Sequence, residues 1–342
     1  MLSLSKDEED RVKMVHDRCL VIDGHSDIML DVNERRSCGE KAVLNRIHIP
    51  RMREGGVNAA VIAVSCDAYT WDSTENALES IGNIYSELEE SPESFVVATK
   101  AVEIKAAASN NKIAFILHME GGRPIKQDIG LLRVFYRLGV RSMGLTWHWR
   151  NFIADGAREP TNCGLSLWGR EVVKEMNSLG MIIDVAHVAK QSILDTLEIS
   201  KDPIIDSHAC CLSLCDHPRN LDDETIGAIV KNGGVIGLLF FSEYIDKKKP
   251  TLERLVDHID HIVELVGIDH VGLGPDYIDY FSEKRYAQLL KKPIEKKYLK
   301  DLEDVTKMPN ITRAMVKRGY SDKEIEQVLG LNFLRVYERV LH

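Results

Sequence analysis

The side chains able to do joint chemistry stand at the ends of short apolar runs. His25 and Asp27 follow VIDG, and Glu120 closes IAFILHME just before Gly121 and Gly122. His187 ends DVAH, His208 ends IDSH, and Asp276 ends VGLGPD. In extended backbone alternate residues face the same way, so a His-x-Asp spacing lets both side chains converge on one ion. Neutral imidazole and carboxylate are both zinc ligands. An ionised glutamate at the end of an apolar run is costly to bury unless it is paired or binds a metal.

Taken singly, each has a plainer reading. Asp27 could cap a helix, Glu120 could pair with Arg123, a lone histidine could be a satisfied core residue, and Asp276 could form a turn. Their coincidence argues for one shared site. His25, Asp27, Glu120, His187 and His208 exceed a single closed tetrahedral zinc site. They suit two zinc ions per chain, about 3.5–4 Å apart, with Glu120 as the bridge. Such a pair lowers the pKa of a shared water, toward about 7 for a single zinc. The resulting nucleophile attacks a carbonyl, while Asp276 takes the water's proton and passes it to the leaving amine. The expected chemistry is metal-assisted hydrolysis.

Eight apolar, β-branched runs read as the strands that must position these residues: 19–25, 58–65, 112–120, 140–147, 181–187, 203–209, 234–241 and 270–276. Most are nearly continuous, as parallel strands buried on both faces should be. Helical patterns at 74–88, 128–138, 167–179, 190–197, 222–231 and 252–266 lie between them. The first would bury Leu78, Ile81, Ile84, Tyr85 and Leu88 on one face. Alternating units of this kind predict an α/β fold, a (β/α)8 TIM barrel of the metal-dependent hydrolase type. Active sites of such barrels sit at the C-terminal ends of the strands, where all six residues fall. An open doubly wound sheet would want a GxGxxG turn, and the nearest run, GGVIG at 233–237, opens a strand instead. The chain is therefore read as one domain over 1–342, with a barrel core at about 19–276 and a helical extension past the barrel at about 283–342.

Composition narrows the classes. The 342 residues are 44% hydrophobic and 28% charged, as in ordinary globular proteins. Asp and Glu number 53 against 44 Lys and Arg, a net charge of −9, which argues against nucleic acid as a partner. The clusters Lys247–Lys249 and Lys296-Lys297 read as solvated surface. No stretch reaches the ~20 apolar residues of a membrane span, and the N-terminus lacks the apolar core of a signal peptide. A cytoplasmic protein with no membrane partner is expected. Its seven cysteines read as reduced thiols, with Cys66 and Cys163 in loops. Cys210, Cys211 and Cys215 lack the paired spacing of a structural zinc site. There is no GxSxG elbow and no phosphate loop.

The segments VIDGHSD, LHMEGG, GLTWHWRN with ADG, LSLWGREVVKEMNSLGMIIDVAHV, IIDSHA, DHPRNLDDETI, VGLGPD and GLNFLRVYERV carry a resemblance. From about residue 17 to 340 the chain resembles the renal, or membrane, dipeptidase family of zinc peptidases in the amidohydrolase superfamily. The resemblance implies His25, Asp27 and Glu120 around one zinc, Glu120, His187 and His208 around the other, and Asp276 as catalytic acid–base. It implies Arg219 as the residue that binds the free carboxylate of a dipeptide; without it, Arg219 reads as a surface residue. L-L and L-D dipeptides are the implied substrates, and a homodimer is the family's tendency.

The chain departs from the family pattern in two places. Where relatives often have L-T-H-N, with the histidine on the reacting carbonyl oxygen, Trp147 and then His148 stand here; both are candidate substrate contacts. After Asp276 the chain reads Tyr277-Ile278-Asp279 instead of the family's F-D-G, which bears on substrate preference. Animal members are secreted and lipid-anchored, and this chain is similar to the soluble microbial kind. The alternatives are an amidohydrolase acting on N-acyl amino acids or lactones, and a non-catalytic metal-binding protein.

Overall fold

The structure is a computed structural model, and it describes residues 3–67, 73–280 and 298–342. The stretch 283–297 of the expected C-terminal extension, with Lys296 and Lys297, lies outside the described residues. Among the described residues there are nine parallel strands: β1 (Val21–Ser26), β2 (Val57–Cys66), β3 (Phe95–Val97), β4 (Ile113–Glu120), β5 (Val140–Gly144), β6 (Ile182–Asp184), β7 (Ile205–Ala209), β8 (Val235–Leu238) and β9 (Val271–Leu273). Eight of them run in sequence order as β1-β2-β4-β5-β6-β7-β8-β9. The short β3 pairs with β4 at Ile113–Phe115, ahead of the Leu117–Met119 stretch that pairs with β5. At the closing seam β1 and β9 touch: a Cβ on Gly24 would lie 2.8 Å from the Leu273 carbonyl oxygen. This is the (β/α)8 barrel expected from the alternation.

The helices Leu167–Leu179 and Leu252–Val266 have the limits read from the sequence. Asp128 and Asp222 cap their helices by accepting from the Gly130 and Thr225 N–H groups. In Ser73–Glu90 the buried face is Ala77, Ser80, Ile81 and Ile84, and Leu78 is exposed instead. Helices at Lys6–Arg18, Met29–Ser37 and Ala101–Ser109 were not legible by apolar periodicity. Lys6–Arg18 buries only Val12, Val15 and His16, although Ser5 and Glu8 form a complete capping box at its start. Cys66 ends β2 and is buried, so it is not a loop residue; all seven cysteines are free thiols. Among the described residues no helix is long and apolar enough to cross a membrane.

The C-terminal helix Asn332–Val340 does not simply extend past the barrel. Its Phe333 and Tyr337 pack with Ile22, Ile182, Ile205 and Val235 at the strand beginnings, so it plugs the N-terminal mouth. Three strands make room for the Phe333 ring: a Cβ on Gly24, Gly237 or Gly272 would come within 2.4–3.1 Å of it. The opposite mouth stays free for the site.

One buried histidine gives a stability prediction. In Leu252–Val266, His258 is fully buried; its Nδ1 accepts from the Cys211 N–H at 3.0 Å and its Nε2–H donates to the Ile245 carbonyl at 3.1 Å. Only the neutral ring makes both bonds, and burial pushes its pKa down to about 4. An unfolded histidine titrates near 6.5. Below that pH the unfolded chain binds the proton and the folded one does not, so stability falls as pH drops from about 6.5 toward 4. Between pH 7 and pH 5 the wild type should lose roughly 2 kcal/mol more than His258→Gln in denaturant titrations. Equal losses would show that this ring does not carry the effect.

Candidate metal centre

Five strands, β1, β4, β6, β7 and β9, bring the site together at the open rim. His25 lies within β1 with Asp27 just past its end, Glu120 is the last residue of β4, and His208 lies within β7. His187 and Asp276 are placed differently from the sequence reading. Strand pairing stops at Asp184 and Leu273, and each residue follows three positions later in the left-handed region, with φ 67° and 58°. Such backbone costs on the order of 1–2 kcal/mol for a non-glycine residue and re-aims its side chain. The His187 carbonyl accepts from the Ala157 N–H at 2.7 Å and the Asp276 carbonyl from the Tyr298 hydroxyl at 3.2 Å, which fixes both turns.

Glu120 Oε1 stands among three imidazoles, 2.9 Å from His187 Nε2, 3.6 Å from His25 Nε2 and 3.7 Å from His208 Nε2. His25 Nε2 is also 3.7 Å from Asp27 Oδ1 and 4.0 Å from Asp276 Oδ1. Two triads have donor atoms all within 4.8 Å of one another: His25, Glu120, His208 and His25, Asp27, Asp276. The Glu120–Arg123 pairing does not occur; Arg123 lies instead toward Asp67, 3.8 Å away. Gly121 is needed here, since its φ is 106° and a Cβ would stand 2.3 Å from the Asp67 carboxyl carbon.

The donor set fits a divalent cation. Both nitrogens of the fully buried His25 lack a hydrogen-bond partner, an arrangement worth several kcal/mol of lost solvation without an ion. Three carboxylates also crowd together. Burial raises the Glu120 pKa well above its ordinary value, and burial, opposed by His25 and reinforced by Asp27, takes Asp276 up to about 8. Burial alone would depress His25, but Glu120, Asp27 and Asp276 outweigh it and hold it at about 10. His187 and His208 are pushed well down by burial and then by neighbouring positive charge, Arg219 included, which keeps them neutral as ligation requires.

Neighbouring side chains orient the ring nitrogens. Ser207 Oγ is 2.8 Å from His208 Nδ1, leaving Nε2 toward Glu120. His148 Nδ1 is 2.7 Å from His187 Nδ1, and Trp147 stacks on His148 with 3.8 Å between ring centroids. Burial, then Arg219 and Arg158, bring the His148 pKa down to about 2. His118, given no role by the sequence reading, packs edge-on to His25 and bonds Ser142 at 2.9 Å. Its His-x-Glu spacing to Glu120 repeats that of His25 and Asp27 and was the available signal.

Arg219 is 3% exposed, not a surface residue. One Nη2–H donates to the His208 carbonyl at 2.9 Å, its Nε has no partner, and no described carboxylate pairs with it. A cleft of about 280 Å³ opens beside it, lined among others by Glu159, Asn162, Lys190 and His217. A buried guanidinium with free donors is a ready site for a planar carboxylate.

Known proteins share this architecture. An amidohydrolase from Pseudomonas aeruginosa superposes with TM-score 0.83 at 27% identity, over 96% of this chain and 99% of that one. A metallopeptidase from Rhodobacter sphaeroides, liganded with a phosphinate mimic of L-Ala-D-Ala, has the same fold at TM-score 0.81 and 22% identity, covering 94% of this chain and 99% of that one. Dipeptidase verJ of Clonostachys rogersoniana is 33% identical over 272 residues, 79% of this chain and 66%, just under two thirds, of that protein. Dipeptidase tcpJ of Claviceps purpurea is 30% identical over 339 residues, 93% of this chain and 76% of that protein. The membrane dipeptidase family profile matches residues 9–342, taking in the rim that carries these candidate ligands and the helix that plugs the opposite mouth, and the chain belongs to that family, peptidase family M19.

Proposed function

We propose that the protein is a zinc-dependent dipeptidase with a binuclear centre held by His25, Asp27, Glu120, His187 and His208. The observation that carries the reading is Glu120 Oε1 lying within 3.7 Å of imidazole nitrogens from three separate chain segments. One carboxylate oxygen so placed suits a bridge. Bound zinc supplies an activated water and polarises the scissile carbonyl.

The chain's own groups do the rest. Asp276, 4.0 Å from His25 Nε2 at the same rim, is placed to take the attacking water's proton and return it to the leaving amine. Arg219 anchors the substrate's C-terminal carboxylate and sets its distance from Glu120. Trp147 and His148 form part of the wall beside His187. The L-Ala-D-Ala mimic bound by the Rhodobacter relative supports including L-D dipeptides among the substrates.

The test is turnover of L-L and L-D dipeptides by zinc-loaded protein, each with a free and an amidated C-terminus, alongside N-acetyl-alanine. Free dipeptides should be cleaved, and amidation or Arg219→Gln should lower kcat/KM by about 10²-fold or more, the scale of a lost buried charged pair. Undiminished cleavage of amides would remove Arg219 from substrate binding. Cleavage of N-acetyl-alanine alone would move the assignment to acyl amino acids.

A further inference from the structure

We propose that His148 is a positioning residue: its Nδ1 accepts a hydrogen bond from His187 Nδ1–H and so aims His187 Nε2 at Glu120 and the metal. The inference rests on the metal-centre reading above. It begins from the 2.7 Å separation of the two Nδ1 atoms, which requires a donor on one and a lone pair on the other. His187 Nε2 is 2.9 Å from Glu120 Oε1 and faces inward. A neutral imidazole that offers Nε2 to a cation carries its proton on Nδ1. That proton needs an acceptor, and His148 Nδ1 is the atom that meets it. The role parallels that of Ser207 Oγ at 2.8 Å from His208 Nδ1.

Two features hold the acceptor in place. Trp147 lies flat on His148, with ring planes 26° apart. A short segment also ties the two histidines together through the backbone: the Ala157 N–H donates to the His187 carbonyl at 2.7 Å and the Arg158 N–H to the His148 carbonyl at 2.9 Å. This approach needs Gly156, where a Cβ would come within 2.4–2.5 Å of the Trp147 and His148 carbonyl oxygens. The Trp147-His148 pair, which departs from the family's L-T-H-N, thereby becomes a clamp on a metal ligand.

The experiment is zinc affinity by competition with a chelating dye, on the full chain, for wild type, His148→Phe and His148→Asn, with steady-state kinetics in parallel. Phe keeps the stack and removes the acceptor; the Asn side-chain oxygen can accept at the same place. His148→Phe should weaken zinc binding by about 10–100-fold, with the melting temperature of the zinc-free protein unchanged, and His148→Asn should recover most of the affinity. Wild-type affinity in His148→Phe, with only KM raised, would overturn the proposal and make His148 a substrate contact. Equal loss in Asn and Phe would overturn it in favour of packing. A wild-type chain that binds no zinc would overturn the metal-centre reading, and this inference with it.

Discussion

Replacing Asp276 by Asn is expected to lower kcat by about 10²–10⁴-fold, the contribution of a positioned acid–base group, while two zinc ions stay bound. Asn is the informative substitution for a backbone reason. Asp276 sits at φ 58°, a region that Asn tolerates as well as Asp does, so the turn after β9 need not move. The change removes only the titrating oxygen. Zinc counted per chain by elemental analysis, beside kcat, separates two roles. Loss of turnover with both ions retained assigns proton transfer to Asp276. Loss of one ion would instead make Asp276 a ligand, as its place in the triad with His25 and Asp27 would permit.

Glu120→Gln should have the broader effect, abolishing zinc binding and reducing turnover to background. Its Oε1 is the atom shared by His25, His187 and His208, and an amide oxygen is a far weaker ligand than a carboxylate. The zinc-free proteins should nonetheless be about equally stable. Gln keeps the shape of the Glu120 side chain and removes one of three crowded carboxylates whose burial and mutual repulsion disfavour the charged form. Ligand linkage then supplies the measurement: zinc at 100 times its Kd should stabilise wild type by about 2.7 kcal/mol per site and leave the variant unmoved. A variant that still gains stability from zinc would show that the ions are held without this bridge.

How far these residues could be read from the chain differs among them. His25, Glu120 and His208 sit on or at the end of paired strands, where nearly continuous apolar runs mark parallel strands and the rim is the run's end. The same logic ran the strands too far at His187 and Asp276. Nothing local shows that pairing stops at Asp184 and Leu273, because a left-handed residue stabilised by a distant donor has no periodic signature. Arg219 lay beyond local reading altogether. It is buried only because the loop after β7 folds back onto the His208 carbonyl.

The barrel, the rim and the set of side chains gathered there follow from the order of residues along the chain. Each depends on short-range pattern: strand runs, helix faces and caps, and polar residues where runs end. Tertiary structure alone decided how those side chains face one another. The 2.7 Å approach of His148 to His187 joins segments 39 residues apart. The seat of Phe333 is assembled from glycines in β1, β8 and β9. Such contacts depend on the fit of surfaces brought together from distant parts of the chain, and a period of two or 3.6 residues carries no record of that fit.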